Sequence, residues 1–449
     1  MTALDPPASP SWLEADRRHV WHPYTQMRTA PPPLAVVRGE GAYLVTADGR
    51  RVLDAISSWW VNVHGHAHPR LSRALAEQAE RLEHVIFAGC AHEPAARLAE
   101  ELVSRVPPGL ERVFYSDDGS TAVEVALKMA WQAWRHRGEP QRTVFVALAH
   151  AYHGDTFGAM AAGGVGAFHA VFAPLFCDVR RAHAPRCFEE PEVAAGGACS
   201  QGCAGTVEEI LEREGGRVAA VIVEPMVQGA GGMFVHPPEF LRGVRAATRR
   251  HGVPLIADEV LTGFGRTGRL FACEHAGVAP DLLCVSKALT GGYLPLAATL
   301  ATGAIYEDFL SDDRGRALLH GHSYTANPLA CAVALESLRL LDESRGLERV
   351  AAIEVRCRRH LDSLAGHPAV ASTRGLGAIA AVELRPRGEA GYLSDLGPWL
   401  YDQFLRRDLL LRPLGDVVYT LPPYVVTDEE LDRVFAAIAE VLDLLPPVP

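Results

Sequence analysis

Between about residues 70 and 330, short apolar runs alternate with longer stretches of helical period. RVFYS (112–116), TVFVAL (143–148), VAAVIVEP (218–225), VPLIADEV (253–260), LLCVS (282–286) and LAATLAT (296–302) are rich in β-branched and aliphatic residues. They are predicted to be buried strands. Between several of them lie stretches such as STAVEVALKMAWQAWRHRG (120–138) and PEFLRGVRAATRRHG (238–252), whose apolar residues recur at helical spacing. Strand–helix alternation of this kind implies an α/β fold with a mostly parallel sheet and helices on both faces.

The two flanks differ from this middle. The first 60 residues contain prolines, aromatics and a hairpin pattern, AVVRGEGAYLVTADGRRVLDA, turning at Asp48 and Gly49. From about residue 330 the pattern predicts long helices followed by a few strands. The last helix opens on Thr427 and Glu430, spaced as a capping box. The expected organisation is a large domain over residues 66–335 and a smaller α+β domain assembled from residues 1–65 and 336–449.

Composition narrows the function. The chain has 449 residues, enough for a large core and a second lobe, and its 48% hydrophobic and 22% charged content is ordinary for a globular protein. A formal net charge of −11 with no basic block argues against a nucleic-acid or anionic-membrane partner. No apolar run approaches a membrane span, and the N-terminus lacks a signal-peptide pattern. The nine cysteines are scattered, as for reduced thiols, so small-molecule chemistry in the cytoplasm is the expectation. Cys187, Cys199 and Cys203 with nearby His183 match no common zinc spacing; a surface loop and no metal are expected there.

Only Lys128 and Lys287 are lysines; arginine fills nearly every other basic position. Arginine stays protonated and cannot act as an amine nucleophile, whereas a desolvated lysine can. Lys287 follows a predicted strand, and in open α/β sheets ligands sit at the carboxyl ends of strands. Three other strand ends carry pointed chemistry. Gly119 and Ser120 open a helix whose free N–H groups suit a phosphate, although any capped helix looks similar. Tyr152 and His153 follow the next strand, where an aromatic stacks on a flat ring or packs in the core. Asp258 and Glu259 end a third strand, and a buried acid needs a cationic partner; an arginine salt bridge is the plain alternative. Taken together, a lysine amine, a buried carboxylate, an aromatic and an anion cradle are what pyridoxal phosphate requires.

The stretch LIADEVLTGFGRTGRLFACEHAGVAPDLLCVSKALTGGYLPLAATLAT resembles the signature region of the class III aminotransferases, pyridoxal-phosphate enzymes of fold type I. VWHPYTQM, DAISSWWVNVHGHAHP, AYHGDTFGAM, VEPMVQGAGGM and LLRPLGDVVYTLPPY are more particular. They resemble the members that aminate 8-amino-7-oxononanoate in biotin biosynthesis, and the likeness runs from about residue 18 to 440. The resemblance implies that Lys287 carries the cofactor and moves the substrate proton, Asp258 pairs with the pyridine nitrogen, and Tyr152 stacks on the ring. It assigns the phosphate to Gly119 and Ser120, with Gly321 and Ser323 supplied by the partner of a homodimer. Tyr24, Trp59 and Trp60 would line the substrate pocket, Asp155 would lie in the amino-donor region, and Arg412 would hold the keto acid's carboxylate.

Two features qualify these assignments. Adjacent tryptophans on a strand face opposite ways, so one of the pair would be core, whereas a loop could present both. Adenosylmethionine-using members carry Pro-Thr where this chain has His322 and Ser323. Serine keeps the hydroxyl, and the expected donor is S-adenosylmethionine or, as in some members, lysine. The alternative within the class is an enzyme acting on ω-amino acids or diamines.

Overall fold

The computed structural model describes residues 11–184, 203–386 and 392–445. Near the N-terminus, strands β1 (Val36–Glu40), β2 (Tyr43–Thr46) and β3 (Arg51–Asp54) form an antiparallel meander. The β2–β3 hairpin turns where expected, with Gly49 at φ 87°, a conformation glycine adopts without penalty. The central sheet is built from β4 (Leu110–Ser116), β5 (Val144–Leu148), β6 (Val179–Ala182) and β7 (Val218–Val223). A small hairpin, β8 (Val227–Gln228) and β9 (Phe234–Val235), comes next, and β10 (Leu255–Asp258), β11 (Leu282–Val285) and β12 (Ala297–Thr302) complete the sheet. Its order is β4-β12-β11-β10-β7-β5-β6, parallel except that β12 runs against both neighbours.

All residues of β5, β7, β10 and β11 are buried, which is why these strands read as unbroken apolar runs. The edge strand β6 escaped the sequence pattern. Arg180 and Arg181 interrupt its apolar character, which an edge position tolerates because one side faces solvent. The helix Gly119–His136 starts on an Asp118–Thr121 capping box and ends in Arg135 and His136, suiting the helix dipole.

Beyond the sheet, two long helices, Pro328–Glu343 and Gly346–Leu364, precede β13 (Val370–Leu376) and β14 (Ile379–Leu384). Then come β15 (Leu409–Leu410) and β16 (Val417–Thr420), and the closing helix Asp428–Asp443 carries the expected Thr427–Glu430 capping box. β13, β14 and β16 form a three-stranded sheet, and β15 pairs in parallel with β3, so strands from both chain ends share one sheet. No described helix is long and apolar enough to cross a membrane.

Candidate active site

A cavity of about 680 Å³ opens at the carboxyl ends of the central strands and is lined by Gly119, Ser120, Tyr152, Asp258 and Lys287 among others. Asp258 is the last residue of β10 and is almost wholly buried. Its partner is not an arginine. One oxygen sits 2.7 Å from His153 Nδ1, and the other accepts the Val260 N–H at 3.0 Å. The neighbouring Glu259 points elsewhere, accepting the N–H groups of Ala272 and Cys273 and the Thr262 hydroxyl. Alternation along the chain thus gives one acid to the cavity and the other to the loop that follows.

Lys287 stands two residues beyond β11, at the start of a short 3₁₀ turn. It retains some accessible surface through the cavity, but the surrounding protein desolvates its amine and lowers its proton affinity. Asp258, Glu224 and Asp118 oppose that effect. Nζ lies 5.3 Å from the centre of the Trp60 ring.

Gly119 and Ser120 form the first turn of their helix, where backbone N–H groups lack helical acceptors. A Cβ on Gly119 would lie 2.5 Å from a methyl carbon of Val260, so the approach of this turn to the Asp258 strand requires glycine. The Ser120 hydroxyl is 2.8 Å from Thr156 Oγ1 and accepts the Thr156 N–H at 3.0 Å, tying this helix start to the segment that carries Tyr152 and Asp155.

Tyr24, Tyr152 and Asp155 form a cluster: the Tyr24 hydroxyl donates to Asp155 and lies 3.2 Å from the Tyr152 hydroxyl. The Tyr24 ring meets Trp59 edge-on at 5.6 Å. The Arg412 guanidinium lies over the other end of this group, 5.0 Å from the centre of the Trp59 ring, and makes no ion pair among the described residues.

Trp59 and Trp60 lie on a single irregular turn, not on a strand. Buried Asp54 accepts the N–H groups of Ile56 and Ser58 and the Ser58 hydroxyl, pinning a turn with positive φ at Ser57, Ser58 and Trp60. Trp60 is buried and lines the cavity, donating its indole N–H to Tyr419 at 3.0 Å, whereas Trp59 is 39% exposed. The wholly buried Arg266 holds the Trp60 carbonyl at 3.1 Å.

Gly321 and Ser323 are exposed and do not line this chain's cavity. Cys187 and Cys199 lie outside the described residues, and no cluster of metal-binding side chains occurs among the described ones. Sequence reasoning missed Glu224. It is buried in the cavity wall, where its carboxylate accepts the N–H groups of Tyr152 and Gly229, each at 2.9 Å. Burial, reinforced by Asp258, raises its pKa to about 7 against the opposing influence of His153. The signal that singled out Asp258, an acid closing an apolar run, is also present in VAAVIVEP.

These residues fit pyridoxal phosphate: a desolvated amine, a carboxylate with a fixed orientation and a glycine-opened helix start face one cavity of suitable size. The aminotransferase class-III family profile matches residues 24–442. An adenosylmethionine-8-amino-7-oxononanoate aminotransferase from Synechococcus elongatus is 51% identical over 95% of this chain and 98% of its own. A protein of the same description from Aquifex aeolicus is 40% identical over 97% of each chain. Among solved structures, that of the Methanocaldococcus jannaschii adenosylmethionine-8-amino-7-oxononanoate aminotransferase superposes with a TM-score of 0.88 at 36% identity, covering 96% of this chain and 98% of the other. An (S)-enantioselective omega-transaminase from Thermomicrobium roseum reaches 0.91 at 34% identity with the same coverage.

Proposed function

The chain belongs to the class-III aminotransferases, and from that premise we propose that it aminates 8-amino-7-oxononanoate to 7,8-diaminononanoate, with S-adenosylmethionine as amino donor. The observation that carries the reading is the convergence of Lys287 and Asp258 on one cavity in a chain half identical to an enzyme of that description. The enzyme depends on pyridoxal phosphate.

When bound, pyridoxal phosphate supplies the electron sink that accommodates the charge left when a proton leaves the substrate carbon. The chain's residues divide the remaining work. Gly119 and Ser120 would bind the phosphate through the helix start. Asp258, aimed by its contacts with His153 and the Val260 N–H, would hold the proton of the ring nitrogen. Lys287, whose hold on a proton is weakened by burial, would take the proton from the substrate carbon and return it one position away. Tyr152 would cover the ring, Tyr24 and Asp155 would meet the donor, and Trp59 and Trp60 would wall the pocket. Arg412 binds the keto acid's carboxylate in two-pronged fashion.

The active form we propose is a cytoplasmic homodimer in which Gly321 and Ser323 of each subunit complete the other's phosphate site. Their exposure, together with exposed Tyr324 and Ile86, supports this. The likeness to omega-transaminases favours a second reading, an enzyme for ω-amino acids or diamines. The two separate in one experiment. Holoenzyme receives excess S-adenosylmethionine, lysine or a simple ω-amino acid in separate cuvettes, and the visible cofactor band is followed. Bleaching by S-adenosylmethionine supports the proposal; bleaching by lysine alone reassigns the donor; bleaching by the ω-amino acid alone selects the second reading.

A further inference from the structure

The loop between β8 and β9, residues 229–233, is held at three points. The Gly229 N–H donates to the Glu224 carboxylate, which also holds the Tyr152 N–H. Gly231 lies against the chain just before Tyr152, so closely that a Cβ there would fall 2.1 Å from the His150 carbonyl oxygen. At the far end the buried guanidinium of Arg374, on β13, donates to the carbonyls of Gly232 at 2.5 Å and Met233 at 2.9 Å. The same guanidinium is anchored in its own sheet by Glu383 at 2.6 Å and Ser372 at 2.9 Å, and lies 5.0 Å from the centre of the Phe234 ring.

Arg374 lines no part of the cavity, yet two of its bonds end on the loop that supports the Tyr152 segment. Gln228 strengthens the same contact, donating to the Ala149 carbonyl at 3.0 Å. A guanidinium suits the post because its planar fork reaches carbonyls and a carboxylate at once, which an ammonium on a flexible stem does not. We propose that Arg374 is a positioning residue: it fixes the 229–233 loop, and through that loop and Glu224 it sets the backbone of Tyr152 over the active-site cavity. The proposal rests on the reading of Tyr152 as the residue that covers the cofactor ring.

The test compares Arg374→Lys with the wild type in two ways. Hydrogen exchange of the cofactor-free protein reads the backbone directly. The expected result is faster exchange in peptides covering 149–156 and 226–234. In the holoenzyme, the visible circular dichroism of the bound cofactor changes and the donor half-reaction slows about tenfold. Should Arg374→Lys fail to fold, Glu383→Gln loosens the anchor while leaving the guanidinium on the loop, and a smaller change in the same two peptides is expected. Faster exchange confined to β13 and β14, with an unchanged 149–156 peptide and an unchanged half-reaction, overturns the proposal. Failure of the wild-type holoenzyme to react with any amino donor would instead overturn the proposed function, and the exchange result would still decide whether Arg374 controls the Tyr152 segment.

Discussion

The amine of Lys287 lies 5.3 Å from the centre of the Trp60 ring, and that ring is itself held by the Tyr419 hydroxyl and by Arg266 on its backbone carbonyl. The lysine is thus confined beside a fixed aromatic wall in a desolvated pocket, a setting that weakens an amine's hold on its proton. Lys287→Ala is expected to bind pyridoxal phosphate without covalent attachment and to lose amino transfer. Mass spectrometry after borohydride reduction checks the first point: the wild type gains the cofactor's mass and the variant does not. Substantial turnover by the variant would remove Lys287 from the mechanism.

Asp258 is oriented by two contacts, and an amide in its place cannot keep a ring nitrogen protonated. Asp258→Asn is expected to lower the rate of both half-reactions about a hundredfold or more. Stopped-flow measurement of each half-reaction separately is the check; a loss restricted to one of them contradicts a role at the shared cofactor.

Among the described residues, the Arg412 fork has no ion-pair partner and lies beside the exposed Trp59. A charged hydrogen bond is worth about 1.5–3 kcal/mol, so Arg412→Met should raise the KM for 8-amino-7-oxononanoate about ten- to a hundredfold. The donor half-reaction should be nearly unchanged. An equal effect on both substrates would mean that Arg412 shapes the pocket instead of binding the carboxylate.

The Tyr24 hydroxyl joins Asp155 and Tyr152. Tyr24→Phe keeps the ring against Trp59 and removes the hydroxyl, so the donor half-reaction should slow about tenfold with little change for the keto acid. Separate KM values for the two substrates decide this.

Glu224 predicts a pH effect on stability. Its pKa rises from an ordinary 4.5 to about 7 in the fold, chiefly through burial. A carboxyl that binds its proton more tightly when folded adds stability below about 4.5, and that contribution is lost as pH rises through about 7. Lys287, Asp258 and His153 share its surroundings and are unaltered in Glu224→Gln. Urea unfolding of the cofactor-free proteins from pH 4.5 to 7.5 should therefore show a steeper decline for the wild type than for the variant. Parallel curves would mean that Glu224 ionises normally.

The central strands and the lysine were legible in the sequence because strands covered on both faces become continuous apolar runs, and because a lysine stands out in a chain that otherwise uses arginine. Asp258, Gly119 and Ser120 were legible for a related reason: they fall at the ends of those runs, where an α/β sheet puts its ligands. β6 was not, since edge arginines erase its pattern, and neither was Glu224, whose significance depends on accepting N–H groups 72 and 5 residues away in the chain.

Local sequence therefore determined the elements and the chemical types at their ends, because periodicity and capping act within a few residues. Partnership was decided by the tertiary structure. The choice of His153 as partner of Asp258, the turn that buries Trp60 and exposes Trp59, the placing of Arg412 over Trp59 and the reach of Arg374 to the 229–233 loop all join segments distant in sequence. Such contacts are selected by which buried polar groups can satisfy one another once the sheets are packed, a condition on the whole fold that no local pattern encodes.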